Sequence, residues 1–183
     1  MGKKVGPRWQ PYAQVWGRYM AIPFIVLVSL TGCSATVGRV IDQQFVSSAY
    51  AFEVPLPGDA WTPVAEEPSV LTLTHTGLAA GITVSVTCHR ERPTPLDILA
   101  RHLFFGFKDT EILHQEPRSL DGVPALQTMA RARLDAREVQ VNSYVAQRLD
   151  CIYDMVYFAS PQDYPSGEPS FERMVAGFRF LQR

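Results

Sequence analysis

The chain has little cysteine, one asparagine and no long apolar run. Three cysteines in 183 residues, with no CxxC pair, are too few for a zinc cage or an iron–sulfur cluster. The longest apolar stretch, Met20 to Leu30, has 11 residues. As a helix it would span only ~17 Å against a bilayer core of ~30 Å, so it is too short for a transmembrane anchor. Walker A, G-x-G-x-x-G, H-E-x-x-H and G-x-S-x-G patterns are all missing. An excess of positive charge is missing too, with 17 basic against 18 acidic side chains. The first 32 residues hold Lys3, Lys4, Arg8 and Arg18 and no acid, which leaves 13 basic against 18 acidic residues and a net charge of −5 for the rest. A body that acidic argues against nucleic acid as a partner, since binding needs a basic face. What is present, 46% hydrophobic and 19% charged residues, describes one ordinary globular domain.

The front of the chain reads as an address. A basic segment precedes an apolar run of the length of a signal-peptide h-region. That run ends in Leu30-Thr31-Gly32-Cys33, which resembles the bacterial lipobox. The resemblance implies residues 1–32 as a lipoprotein signal peptide, cleavage between Gly32 and Cys33, and a diacylglyceryl thioether on Cys33. Ser34 follows. By the sorting rule of enterobacterial lipoproteins, a residue other than Asp there implies the outer membrane, facing the periplasm. The alternatives are an ordinary secretory signal with an incidental cysteine, or a buried N-terminal strand. Residues 33–49 then form the lipidated Cys and a tether, in which Val37, Val40 and Ile41 are the residues able to dock.

Residues 50–183 read as an α+β domain. Period-2 alternation predicts strands over Tyr50–Pro57, Trp61–Glu66, Val70–His75, Ile82–His89, Ile112–Leu120, Val123–Leu134, Glu138–Arg148 and Cys151–Ala159. Asp121-Gly122 is a two-residue hairpin signal. Thr94, Pro95 and Asp97 mark a helix start, with Leu96, Leu99, Ala100, Leu103 and Phe107 as its apolar stripe. Pro161 to Gly167 reads as a loop, and Ser170–Leu181 as a last helix. The expectation is an antiparallel sheet of about six to seven strands covered by two amphipathic helices.

This order, with Phe52-Glu53-Val54-Pro55-Leu56-Pro57 before Trp61, Leu120-Asp121-Gly122-Val123-Pro124-Ala125, Tyr157-Phe158-Ala159-Ser160-Pro161 and the Phe171 to Phe178 helix, resembles the PsbP-like (DcrB-like) family over residues 50–181. The resemblance implies an α/β/α sandwich. No active-site residues transfer from it.

Chemistry-bearing residues are few. His75, His89, His102 and His114 lack ligand spacing, though His75 and His89 would be close if their strands pair, as a metal site or as two surface histidines. Cys–His–Asn catalysis would need Cys88 or Cys151 with Asn142, but Cys88 lies on an aliphatic face, where a thiol is inert. His89-Arg90-Glu91-Arg92 is either an anion site or a solvated loop. Arg131 and Arg133 read as a wet strand face. Asp154, between Tyr153 and Tyr157, is either functional or paired with an arginine across the sheet. Once Cys33 carries lipid, Cys88 and Cys151 remain, both near strand ends and in an oxidising compartment. A disulfide is expected, with two buried thiols as the alternative. No catalytic residue, cofactor or metal is expected. The function expected is that of a membrane-tethered periplasmic lipoprotein, a non-enzymatic accessory module for an unidentified envelope protein. The alternatives are a small-ligand carrier with a cleft between sheet and helix and, third, an enzyme of unknown type.

Overall fold

The computed structural model describes residues 38–64, 70–88 and 93–182, all within one compact unit. A seven-stranded sheet is built from β4 (Trp61–Val64), β5 (Leu71–His75), β6 (Ala80–Cys88), β7 (Lys108–Leu120), β8 (Val123–Leu134), β9 (Arg137–Arg148) and β10 (Cys151–Ala159). Its order is β4-β5-β6-β10-β9-β8-β7, and every neighbouring pair is antiparallel. The β7–β10 meander returns to lay β10 against β6, and this pairing joins it to the β4–β6 strands in one open sheet.

Three two-residue turns hold the meander. Asp121-Gly122 (φ 47° and 78°) and Asp135-Ala136 (φ 46° and 67°) both sit in the left-handed region, as the twist of tight hairpins requires. The third turn puts Leu149 there instead, at φ 57°. Strand β10 shows why it is central. Cys151, Tyr153, Met155, Tyr157 and Ala159 are buried on one face, while Ile152, Asp154, Val156 and Phe158 are half-buried on the other.

A second, four-stranded sheet was not expected. It consists of β1 (Arg39–Ile41), β2 (Gln44–Ser47), β3 (Phe52–Pro55) and β11 (Arg179–Phe180), in the order β1-β2-β3-β11. Its first hairpin lies inside the stretch read as tether. Val40 and Ile41 stay exposed while Phe45 and Ser47 are buried, so docking is done by the second strand rather than the first. β11 replaces the end of the expected last helix and pairs with β3, and the Phe180 N–H donates to Asp121 Oδ2 at 2.8 Å.

The helices differ from expectation at their ends. α1 (Leu96–His102) starts after Pro95 with no side-chain cap, and the Thr94 N–H donates to Gln147 Oε1 instead. Beyond His102 the chain continues in single turns closed by i→i+3 bonds, which Gly106 ends at φ 92°. α2 (Tyr164–Ala176) starts six residues earlier than the expected Ser170, inside the stretch read as a loop. Pro165 is tolerated in the first turn, where its missing N–H has no partner to lose. Gly167 is needed there: a Cβ would run into the Tyr157 hydroxyl, which is held by the Tyr164 carbonyl.

α2 and the small sheet cover one face of the large sheet, and α1 covers part of the other. The main core lies on the α2 face. Phe52 stacks on Phe178 at 5.2 Å between ring centroids, and Tyr157 stacks on Phe171 at 5.7 Å. The buried hydroxyls are satisfied: Tyr157 donates to the Tyr164 carbonyl and Tyr153 to that of Tyr50, both at 2.9 Å.

Candidate functional site

Cys88 and Cys151 stand directly opposite each other in the β6–β10 pairing and are joined by a disulfide, with Cα atoms 4.0 Å apart. The bridge closes a loop of 63 residues, and it occupies both thiols that Cys–His–Asn catalysis would have required. Asn142 has a structural place instead. Its Nδ2 donates to Glu172 Oε1 at 2.8 Å and its Oδ1 accepts from Gln127 Nε2 at 3.1 Å.

These bonds belong to a polar chain beneath α2. Arg118 Nε donates to Gln127 Oε1 at 3.0 Å and its guanidinium pairs with Glu116, while the Tyr144 hydroxyl donates to Glu172 Oε2 at 3.0 Å. Burial and then the Glu172 carboxylate push the Tyr144 phenol well above its usual range, so it stays a donor. Burial and then Glu168 do the same for Tyr157, up to about 12. A cleft of about 440 Å³ opens beside this chain, lined by Arg118, Asp121, Gln127, Tyr144, Glu168 and Glu172. Glu172 was missed in the sequence because it lies within the apolar spacing of Phe171, Met174 and Val175.

The other face is built differently. α1 packs chiefly on β8 and β9, through Leu99 and Ala100 against Val145, with Leu126 and, from β10, Ile152 at the rim. A separate cluster of Ala132, Val139 and Val141 is flanked by half-buried Phe104, Phe107, Leu134, Val156 and Phe158. Beside it opens a groove of about 560 Å³, lined by Gly81, Leu134, Val139, Phe158 and Ala159 with Arg137 and Ser160. Gly81 shapes its floor, because a Cβ there would strike the Phe158 ring. A second cleft, about 380 Å³, lies between α1 and the sheet and is lined by Ala100, Phe104, Ile112 and Thr128. Phe105, at the tip between α1 and β7, is 82% exposed, and Ile112 and Leu113 are exposed nearby in sequence. The sequence held one signal for Phe105: it is an apolar residue off the helix stripe.

Asp154 lies on this face. The expected arginine is not there. Its partners across the sheet are Ser85 and Val145, and Oδ1 is buried without a hydrogen bond. Burial raises its carboxyl from 3.8 to about 7. Thr72 Oγ1 is buried unpaired on the same face.

The remaining candidates have local roles. His75 Nδ1 accepts the Gly77 and Leu78 N–H groups, both at 3.0 Å, and its ring meets Trp61 edge-on. His102 packs beside Phe105, and His114 lies 3.2 Å from Glu116. Arg131 and Arg133 are exposed and pair with Glu138 and Asp109. Among the described residues, no group of three or more His, Cys, Asp or Glu side chains is placed to hold a metal. Cys33, Ser34, Val37 and His89 to Arg92 lie outside the described residues.

No family model matches the chain, and no curated protein sequence does. Its fold is shared. The solution structure of cyanobacterial PsbP (CyanoP) from Synechocystis sp. PCC 6803 superposes with a TM-score of 0.59 at 12% identity, over 85% of this chain and 99% of that one. LpqN of Mycobacterium tuberculosis, described as involved in cell envelope biogenesis, gives 0.57 at 11% identity, over 72% and 83%. An E65A variant of Mog1 gives 0.51 at 10% identity, over 72% and 92%. The chain therefore has a PsbP-like α+β fold. At such identities the likeness fixes the fold and no particular function.

Proposed function

We propose that the protein is a lipoprotein tethered through Cys33 to the periplasmic face of the outer membrane, whose domain is a non-enzymatic module that docks an envelope protein. Leu30-Thr31-Gly32-Cys33 and Ser34 support the anchor and its sorting. The Cys88–Cys151 bridge fits an exported domain, since cytosolic thiols are kept reduced. No helix among the described residues is long and apolar enough to cross a membrane, so attachment by lipid is consistent with the fold.

The observation that carries the docking reading is the apolar surface around Phe105, outside the filled core. Exposed aromatics beside half-buried apolar clusters are the usual composition of interface anchors. A tether also raises the effective concentration of a weakly bound neighbour. The test is a photo-crosslinking amino acid at position 105, with position 173 on α2 as the exposed control. A discrete adduct from 105 alone supports the reading; the same adducts from both positions, or none from either, contradict it.

A small-ligand carrier is the second reading, favoured by the apolar groove beside Phe158. A small molecule that stays with the natively purified domain, and is lost from a groove-filling Leu134→Trp variant, would favour this reading over docking.

A further inference from the structure

The structure points to a membrane-seating end of the domain, which we infer to be the end that carries the β9–β10 turn, with Leu149 entering the lipid surface. The inference rests on the lipid anchor at Cys33 and deepens it by choosing an orientation.

Three observations carry it. The first is where the tether arrives. Gly38 packs against the Phe45 ring, Phe45 lies 6.0 Å from Phe52, and Phe52 lies 6.2 Å from Tyr153, two residues from Cys151. Arg148 covers the ring of Phe180, the strand neighbour of Phe52, at 4.9 Å. The chain thus enters at the β1 edge of the small sheet, whose opposite edge strand, β11, carries the Phe180 ring beneath Arg148 of the β9–β10 turn. Residues 34–37 separate Cys33 from Gly38, a reach of at most roughly 17 Å. The entry point therefore stays within that distance of the acyl chains.

The second observation is the turn. Leu149 is 69% exposed and holds φ 57°, a conformation that disfavours a bulky side chain. The other two hairpin turns of the meander carry Asp-Gly and Asp-Ala. An exposed leucine in a strained turn is poor for a free surface and suits one that contacts apolar material. Arg148 beside it supplies a guanidinium at headgroup level for an anionic lipid, and Val40 and Ile41, exposed on β1 just past the tether, add apolar area.

The third is the opposite end. α1 runs away from Thr94, which is bonded to Gln147, toward Phe104 and Phe107, which pack beside Leu134, the last residue of β8, paired with Arg137 at the opposite end of β9 from Gln147. β9 has 12 residues, or about 40 Å. Seating on Leu149 holds Phe105 away from the bilayer, toward the periplasm.

The test uses the full chain made in a diderm host and extracted from membranes. Its intact mass is checked for lipid on Cys33. Leu149→Trp and Phe105→Trp variants are then placed in phosphatidylethanolamine–phosphatidylglycerol vesicles with doxyl-labelled lipid. The expected result is that the added emission at 149 falls at least twofold and the emission at 105 does not change. A lipidated protein in which 149 is quenched no more than 105 overturns the seat and leaves the anchor standing. A protein without lipid overturns the anchor and the seat together. Hydrogen exchange on the unsubstituted protein is independent of the tryptophans: amides at 148–151 should slow at least threefold on vesicles relative to detergent, and unchanged rates overturn the seat.

Discussion

The two faces of the seven-stranded sheet differ in what they bury. On the α2 face the aromatics interlock, and the hydroxyls of Tyr144, Tyr153, Tyr157 and Tyr164 all find acceptors. On the α1 face the apolar residues split into two small clusters, Asp154 and Thr72 carry unpaired buried oxygens, and Phe105 stands in solvent. The first face meets the rules of a stable core: close packing and partnered polar groups. The second departs from them repeatedly. Departures of that kind collect where a surface is kept for contact rather than for stability.

The sharpest way to break this comparison is a pair of matched truncations. Phe171→Ala, fully buried beneath α2, should lower the unfolding free energy by about 3–5 kcal/mol in denaturant titration. Phe105→Ala should change it by less than about 0.5 kcal/mol. Similar losses at both sites would remove the distinction.

Asp154→Asn tests the α1 face from the other direction, because it should stabilise. The folded carboxyl is raised from 3.8 to about 7, so between those pH values the folded protein holds a proton that the unfolded chain has released. Stability therefore falls as pH rises from about 4 to 7 and is level above. The ceiling of this loss is roughly 4 kcal/mol. The Asn variant should gain roughly 2 kcal/mol or more at pH 8 and little at pH 4. An equal effect at both pH values would mean that the carboxyl is not perturbed by its burial.

The disulfide should contribute about 2–4 kcal/mol, with ~4 the chain-entropy value for a loop of this size. A Cys88→Ala, Cys151→Ala double variant, compared with the oxidised parent by thermal melting, checks it. A smaller loss, about 1–2 kcal/mol, is expected from Tyr144→Phe, through the lost bond to Glu172. Its measurement reports whether the polar chain under α2 is as well satisfied as its geometry indicates.

Much of the large sheet was legible because its strands are long enough to show a period of two. The nine residues of β6 and of β10 and the Asp121-Gly122 turn are of this kind. The adjacency of Cys88 and Cys151 was suggested by leftover thiols rather than by pattern. The small sheet was not legible, since β11 has two residues and β1 three, too few for any period. The start of α2 was hidden behind Pro165 and Pro169, which read as breakers, although Pro165 falls in the first turn, which accepts proline, and Pro169 is carried inside the helix. Asp154 was visible as a charge in an apolar strand, but whether an arginine faced it depended on the β6 and β9 register. Glu172 and Phe105 depend on which side of a helix or turn meets the rest of the fold, and strand and helix periods do not report that.

The division of labour between the faces is tested most directly by one substitution read two ways. A photo-crosslinker at position 112, which shares the α1 cleft with Phe104, reports partner contact, and Phe105→Asp is introduced beside it. The account predicts a melting temperature within about 2 °C of the parent and loss of the adduct formed in the intact envelope. A substantially lower melting temperature would place Phe105 in the stabilising core, and an undiminished adduct would remove it from the docking surface; either result would contradict the account.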